Sequence, residues 1–247
     1  MTKTSVLVTV PLDNWDLFES PMKRFCDSWR RFPPESDLEL VAICCQSDPT
    51  EVLSEMFKGL PVRFVRDDSN AGKDVGFHQR FAQRQDSEFI WCMNSRMYFH
   101  RAGWGKAMEQ ARCQNPDIKL FGLSASRDVR LHIRSAGYAL CIYDLLEWEE
   151  EIISEETAQR FELGLLDFFK DREKRSGLVY WEGVFCEPDW FLPQNIFRDG
   201  TQENMLVWDR HSDIYSESDS EYRAQLSWIG NSTRTIGANP RKPRYPK

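Results

Sequence analysis

Short, unbroken apolar runs alternate along the chain with longer stretches in which apolar residues recur every third or fourth position. Ser5–Val10 (SVLVTV) is β-branched and apolar, the pattern of a strand buried on both faces. Ser20-Pro21 reads as an N-cap with proline in the first helical turn. Met22, Phe25, Trp29 and Phe32 follow at helical spacing, so a helix with one apolar face is expected until Pro33-Pro34 stops it. Leu38–Cys45 predicts a second strand, and Gln46-Ser47-Asp48-Pro49 a second helix start. The helix after it should bury Val52, Leu53, Met56 and Phe57 and end at Gly59. Pro61–Val65, Glu88–Met93 and Ile118–Leu123 are the third, fourth and fifth strands.

This cadence of strand and helix implies right-handed crossovers and a largely parallel sheet, an α/β fold. Such sheets bind ligands at the carboxyl ends of their strands. The loops to inspect are those at Pro11, Asp48, Asp67–Gly76 and Asn94–His100. Beyond about residue 125 the alternation fades. Gly137–Tyr143 reads as a strand, Asp144–Glu156 and Glu156–Asp171 as helices, and Tyr180–Trp208 as an irregular aromatic-rich tract. The residues from about 231 on lose apolar character and read as a flexible basic tail.

Composition narrows the classes. Apolar residues make up 41% and charged residues 29%, an ordinary globular balance. The 32 Lys and Arg stand against 39 Asp and Glu, a net charge of −7, which argues against a nucleic-acid partner. No apolar run approaches the ~20 residues of a membrane span. The opening MTKTSVLVTVPLDNW is read as a buried strand rather than a signal peptide. The seven cysteines are odd in number and contain no CxxC, which favours reduced core thiols in a cytoplasmic protein over disulfides or zinc.

The most informative segment is Asp67–Gly76, DDSNAGKDVG. Gly72 and Gly76 would let a ligand approach the backbone closely. Lys73 is a point cation suited to phosphate, and Asp74 suits ribose or sugar hydroxyls. The alternative is a glycine-containing turn in which an Asp caps the following helix. The segment fits neither a Walker A loop nor a Rossmann fingerprint, and VTVPLDN at the first strand has no glycine, which weighs against a dinucleotide-dependent oxidoreductase.

Asn70–Gly76 (NAGKDVG) resembles the N-x-G-R/K-D-x-G motif of glycosyltransferases with a GT-A-type fold, notably the rhamnan-synthesis F-like group. Phe89–Phe99 (FIWCMNSRMYF) is similar to that family's strand leading into an acidic DXD segment. Gly103-Trp104, His132-Ile133-Arg134-Ser135 and Phe161–Phe168 (FELGLLDF) resemble later motifs in the same order, so the likeness spans about residues 5–170. It implies a GT-A-like domain over residues 1–230, with a donor half to about 125 and an acceptor half beyond. It also implies a nucleotide-sugar donor and a glycan acceptor in polysaccharide biosynthesis.

One departure matters. Asn94-Ser95-Arg96 stands where the family carries the carboxylates that hold Mg²⁺ or Mn²⁺. Arg96 cannot ligate a metal, but it can pair with phosphate bidentately. The expectation is therefore transfer that needs no metal, with Mn²⁺ or Mg²⁺ as the ions that would serve if one is used. Arg96 and Lys73 would then stabilise the departing diphosphate. The donor would lie across Pro11, Asp48, Asn70, Gly72, Lys73, Asp74, Asn94, Ser95 and Arg134.

The resembling helix makes Glu162 the first candidate for general base in an inverting transfer, ahead of Glu182 and Asp189. Asp209 and His211 are candidates for a late phosphate or metal contact. Trp181, Glu182 and Trp190, with Tyr180, Phe185, Phe191, Phe197 and Trp208, suit an acceptor cleft that stacks sugars. His78 and His100 receive no role. The basic tail offers a peripheral contact to anionic lipid. The rival reading is a non-catalytic glycan- or nucleotide-binding scaffold with a degenerate site.

Overall fold

A computed structural model of the chain describes residues 3–69, 71–84, 87–126, 130–187, 190 and 202–231, with backbone alone for 227–231. Thr4–Val10 forms β1, every residue of it buried, as the β-branched run predicts. Helix α1 spans Trp15–Arg31 and starts earlier than Ser20-Pro21 suggested. Pro21 lies inside it. Its missing N–H costs one bond, to the carbonyl of exposed Leu17, on the solvent side of the helix.

Three parallel crossovers follow. They run through β2 (Glu39–Cys45), α2 (Glu51–Met56), β3 (Val62–Asp67), α3 (Lys73–Gln83) and β4 (Phe89–Met93). Helix α2 starts after Pro49, because Thr50 supplies the cap by accepting the Leu53 N–H at 3.2 Å. Leu53 and Phe57 are buried there, whereas Val52 is exposed, against expectation. Short β5 (Tyr98–Phe99) and α4 (Trp104–Gln114) lead to β6 (Ile118–Gly122).

After β6 the chain forms a small hairpin, β7 (Ala125–Ser126) with β8 (His132–Ile133), and then returns as β9 (Gly137–Cys141). β9 inserts antiparallel between β4 and β6. The strand expected to reach Tyr143 gives way at Ile142 to α5 (Ile142–Leu146). The helix expected over Asp144–Glu156 is mostly loop before α6 (Glu155–Lys170). Ser154 caps α6 through a capping box with Thr157. The tract read as irregular contains a strand and part of an antiparallel hairpin, β10 (Arg175–Tyr180) with β11 (Gly183–Cys186). Then come β12 (Val207–Trp208), α7 (Arg210–Glu217) and α8 (Ser220–Asn231).

The main sheet has eight strands in the order β11-β10-β6-β9-β4-β1-β2-β3 and is mostly parallel, flanked by helices. This is the α/β class expected. Alternate residues of the central strands feed two cores. Leu7, Val41 and Ile43 face Phe77, Phe81, Phe161 and Phe169 of α3 and α6. Val6, Val8, Leu40 and Ala42 face Met22, Phe25, Leu53 and Met108 of α1, α2 and α4. All seven cysteines are free thiols, with Cys26, Cys44, Cys45 and Cys92 buried. Among the described residues no helix is long and apolar enough to cross a membrane. The basic segment expected from about 231 lies outside the described residues.

Topology places the site. Because β9 runs against β4, Gly137 pairs with Met93, so the loop entering β9 arrives beside the carboxyl end of β4. Asn94 N–H donates to Ala136 O at 3.0 Å and ties the two together.

Candidate active site

A cleft of about 310 Å³ opens among these strand ends, lined by Lys73, Asp74, Ser135, Glu155 and Glu162, among others. Three segments remote in sequence meet there: the start of α3, the loop before β9 and the first turns of α6. Lys73, Asp74 and Glu162, all read from the sequence as site residues, are brought together. Asn70 lies outside the described residues.

The segment Asp67–Gly76 is built around a brace that the sequence did not announce. Arg80 Nε donates to buried Asp67 at 2.9 Å, and its other nitrogens donate to the carbonyls of Ala71 (3.1 Å) and Ser69 (3.2 Å). Asp67 Oδ1 also accepts the Ser69 N–H at 2.9 Å, an Asx turn. One planar guanidinium thus fixes three points of the loop.

The two glycines serve packing. A Cβ on Gly72 would collide with the Ile152 carbonyl, and one on Gly76 would sit 2.7 Å from the same oxygen. The close approach expected of a ligand is made instead by the chain's own loop before α6. Gly72 has φ 76°, and Lys73, which is not a glycine, also adopts a left-handed φ of 52°. Such a conformation costs about 1–3 kcal/mol in a non-glycine residue, here at the lip of the cleft.

Asp74 does not cap α3, since Gly72 holds the cap position without a side-chain bond. Its Oδ1 accepts from Thr9 Oγ1 at 2.6 Å, joining the cleft floor to β1. Desolvation pushes the Asp74 carboxyl upward, opposed by the Thr9 hydroxyl and then by the charges of Arg96 and Lys73. Lys73 Nζ donates to Glu155 at 2.6 Å with both side chains exposed, a contact a stronger anion would displace at little cost.

Arg96 is exposed beyond β4, its guanidinium 4.7 Å over the Phe18 ring. Its N–H is turned by Asn94 Oδ1 at 3.0 Å, and Ser95 is buried in the same turn. Among the described residues Arg96 makes no ion pair, and no three His, Cys, Asp or Glu side chains converge in a way that would hold a metal ion. Arg96, a cation, is itself no ligand for Mg²⁺ or Mn²⁺.

Glu162 is oriented from one side. Its Oε1 accepts the Ser135 N–H at 3.1 Å and lies 3.8 Å from His132 Nε2, while Oε2 makes no hydrogen bond among the described residues. His132 Nδ1 donates to Arg130 O at 2.8 Å, which turns Nε2 toward Glu162. Arg134, expected to hold the donor, instead meets Asp209 at 3.1 Å, and both are nearly enclosed. Burial raises the Asp209 pKa, but the Arg134 charge, His211 and two backbone N–H groups at the start of α7 outweigh it, and the carboxyl ends below its usual range. Asp209 is therefore a helix cap and an arginine anchor.

Other expected residues lie elsewhere. Pro11 follows β1 without lining the cleft, and Asp48 is exposed and paired with Arg66 at 3.2 Å. Trp190 has no exposed surface. Its Nε1 donates to Phe185 O at 2.7 Å, so it is a core residue and offers no face to a sugar. Glu182 is exposed and bonded to Asn204. Trp181 is half-buried, with Arg101 4.5 Å over its ring. Asp189, Phe191 and Phe197 lie outside the described residues. The sequence missed Thr9, Arg80, Ile152 and Glu155. The first three act through backbone geometry or a partner far along the chain, and only the H-x-x-S likeness pointed at Ser135.

No protein-family model and no curated protein matches the chain, so the likeness to the rhamnan-synthesis F-like group rests on its residues alone. Among solved structures, the chain is similar to residues 1–349 of TarS from S. aureus. That match has 12% identity and a TM-score of 0.49, covering 92% of this chain and 70% of that one. It is also similar to 4-diphosphocytidyl-2C-methyl-D-erythritol synthase from Anaerococcus prevotii. There the identity is 12% and the TM-score 0.47, over 72% of this chain and 88% of the other. Neither likeness carries the reading that follows.

Proposed function

We propose that this chain transfers a sugar from a nucleotide-activated donor to a hydroxyl acceptor, without a metal ion. The observation that carries the reading is a cleft at the strand ends in which Lys73, Asp74 and Glu162 converge from separate segments. The nucleoside diphosphate lies along the ends of β1 and β4. Lys73 exchanges Glu155 for a phosphate oxygen, and the guanidinium of Arg96, which makes no ion pair among the described residues, is the second cation. Asp74, held by Thr9, accepts hydroxyl protons of the donor.

The acceptor hydroxyl approaches the free Oε2 of Glu162, which takes its proton as the oxygen bonds to the anomeric carbon. The diphosphate leaves with the bonding pair of the old glycosidic bond. Ser135 and His132 keep Oε1 engaged, so that Oε2 faces the reaction. Inversion follows from the single base. The likeness of NAGKDVG and the motifs after it supports the same assignment of substrates.

Calorimetric titration with nucleoside diphosphates and nucleotide sugars, with and without Mn²⁺, tests this. Micromolar binding of one nucleotide that a chelator does not change supports it. Binding that requires Mn²⁺ keeps a transferase but overturns the metal-free reading. Absence of nucleotide binding overturns the donor site and leaves the scaffold alternative.

A further inference from the structure

A second set of planar groups lies outside the cleft, where β5 pairs with β12 against α1. The Arg24 guanidinium sits 3.5 Å over the Tyr98 ring. Tyr98 meets Trp208 edge-on at 6.3 Å, and Trp208 stacks on His100 at 4.7 Å and 28°. Each plate is fixed at its edge. Arg24 donates twice to Asp213, at 2.7 and 3.0 Å, and the Tyr98 hydroxyl donates to the same carboxylate. Trp208 Nε1 donates to Gln202 O at 3.0 Å, and His100 Nε2 donates to Met205 O at 2.5 Å.

A pocket of about 370 Å³ opens on this assembly, its wall including Trp208, His100, Tyr98, Asp27 and Arg31. The volume is within the range of small-molecule sites. Most of the wall is apolar, and polar atoms stand at its edge. With Nε2–H committed to Met205, neutral His100 is left with Nδ1 as an acceptor. Burial lowers the pKa of His100, which keeps it neutral near pH 7. Asp27, whose two oxygens already accept from Lys23 and Arg30 at the surface and keep further lone pairs, is a second acceptor, and exposed Arg31 makes no ion pair among the described residues.

An aromatic wall of Trp208, His100 and Tyr98, with acceptors and a cation in the same pocket, matches a pyranose. Such a ring has one apolar C–H face and hydroxyls around its edge. A nucleobase has no such rim of hydroxyl donors to meet Asp27 and His100 Nδ1.

We propose that this pocket is a saccharide subsite, holding one pyranose ring of the acceptor glycan against Trp208. The glycan's role as acceptor rests on the transferase reading, whereas the binding does not. The pocket is tied to the cleft through the chain. Asp209, the next residue after Trp208, anchors Arg134, whose neighbour Ser135 donates to Glu162.

The test is calorimetry of the full chain with malto-, laminari- and rhamno-oligosaccharides in the absence of nucleotide. Nucleoside diphosphate binding is measured on the same samples. The expected result is millimolar binding of at least one oligosaccharide, weakened tenfold or more by Trp208→Ala and less by Trp208→Phe. The exposed change Arg31→Ala should weaken it about threefold without risk to folding. Nucleotide affinity should stay unchanged in all three variants. Saccharide binding that survives Trp208→Ala and Arg31→Ala at wild-type strength overturns the subsite. So does nucleotide binding without saccharide binding, which leaves the transferase reading standing. Binding of adenosine monophosphate in place of a saccharide, lost in Trp208→Ala, assigns the pocket to a nucleobase and also overturns the proposal.

Discussion

His78 lies on the inner face of α3 with no exposed surface, its Nδ1 3.1 Å from the Tyr138 hydroxyl and its Nε2 without a hydrogen-bond partner among the described residues. Desolvation pushes its pKa down from 6.5 to about 3. Between those values the unfolded chain binds a proton that the folded chain refuses. Stability must therefore fall as pH falls from about 6.5 toward 3, with a limiting slope of about 1.4 kcal/mol per pH unit. From pH 6.5 to 4.5 the loss from this one group is roughly 2 kcal/mol, because the unfolded imidazole is already half-charged at the upper end.

His78→Leu removes the titration and the unpartnered nitrogen together; it also takes away the 3.1 Å partner of the Tyr138 hydroxyl, a loss that does not vary over this pH range and leaves the comparison of slopes intact. Urea unfolding followed by tryptophan fluorescence at pH 4.5, 5.5, 6.5 and 7.5 should give a variant whose stability declines less steeply by that amount. His100 also titrates low by burial, but it is present in both proteins and cancels in the difference. Parallel curves for the two proteins, or an imidazole resonance of His78 titrating near 6.5, would refute the argument.

Three further outcomes follow from the cleft. Glu162→Gln should lower transfer by about a hundredfold or more while leaving nucleotide affinity within twofold, measured by product formation and calorimetry. Arg80→Ala strands the buried Asp67 carboxylate and two loop carbonyls, and should cost roughly 2–4 kcal/mol in urea unfolding and weaken nucleotide binding, with Arg80→Lys recovering only part of either. Gly72→Ala must displace the Ile152 backbone as well as adopt a left-handed φ, so a loss of at least about 2 kcal/mol is expected; an unchanged melting temperature would show that the loop before α6 yields freely.

The first half of the sheet was legible because its strands are buried on both faces. β1, β2 and β4 are continuous apolar runs whose period could not be mistaken, and the residues that follow them fell at the expected edge. Legibility declined where structure depends on a distant partner. β9 looks like any apolar strand, and nothing local says that it runs antiparallel between β4 and β6. β11 was obscured because its half-buried residues, in an aromatic-rich tract, carry neither a clean alternation nor an apolar run, and β10, which ends where that tract begins, offers only the short buried stretch Gly177–Tyr180. Pro21 misled for a related reason. Its cost is small on the solvent face of a long amphipathic helix anchored by Met22, Phe25 and Trp29, so the helix runs through it and the proline does not mark the start.

The same distinction governs the site. Lys73, Asp74 and Glu162, which line one cleft, could be proposed from the sequence because their chemistry is in the side chain, and side-chain type is what a sequence spells out. Gly72 and Gly76 were found but assigned to the wrong neighbour, since a glycine reports only that something comes close. Here that neighbour is the Ile152 carbonyl, which packs the loop before α6 onto the start of α3 and so fixes the spacing between Asp74 and Glu162. The glycines therefore act on the proposed chemistry at one remove. They set the width of the cleft, and Arg80 sets the path of the loop that forms its edge. Substitution at either glycine should accordingly alter the reach between donor and base before it alters any contact to phosphate. That predicts a larger effect on transfer than on nucleotide affinity, the opposite of a glycine that touches the ligand.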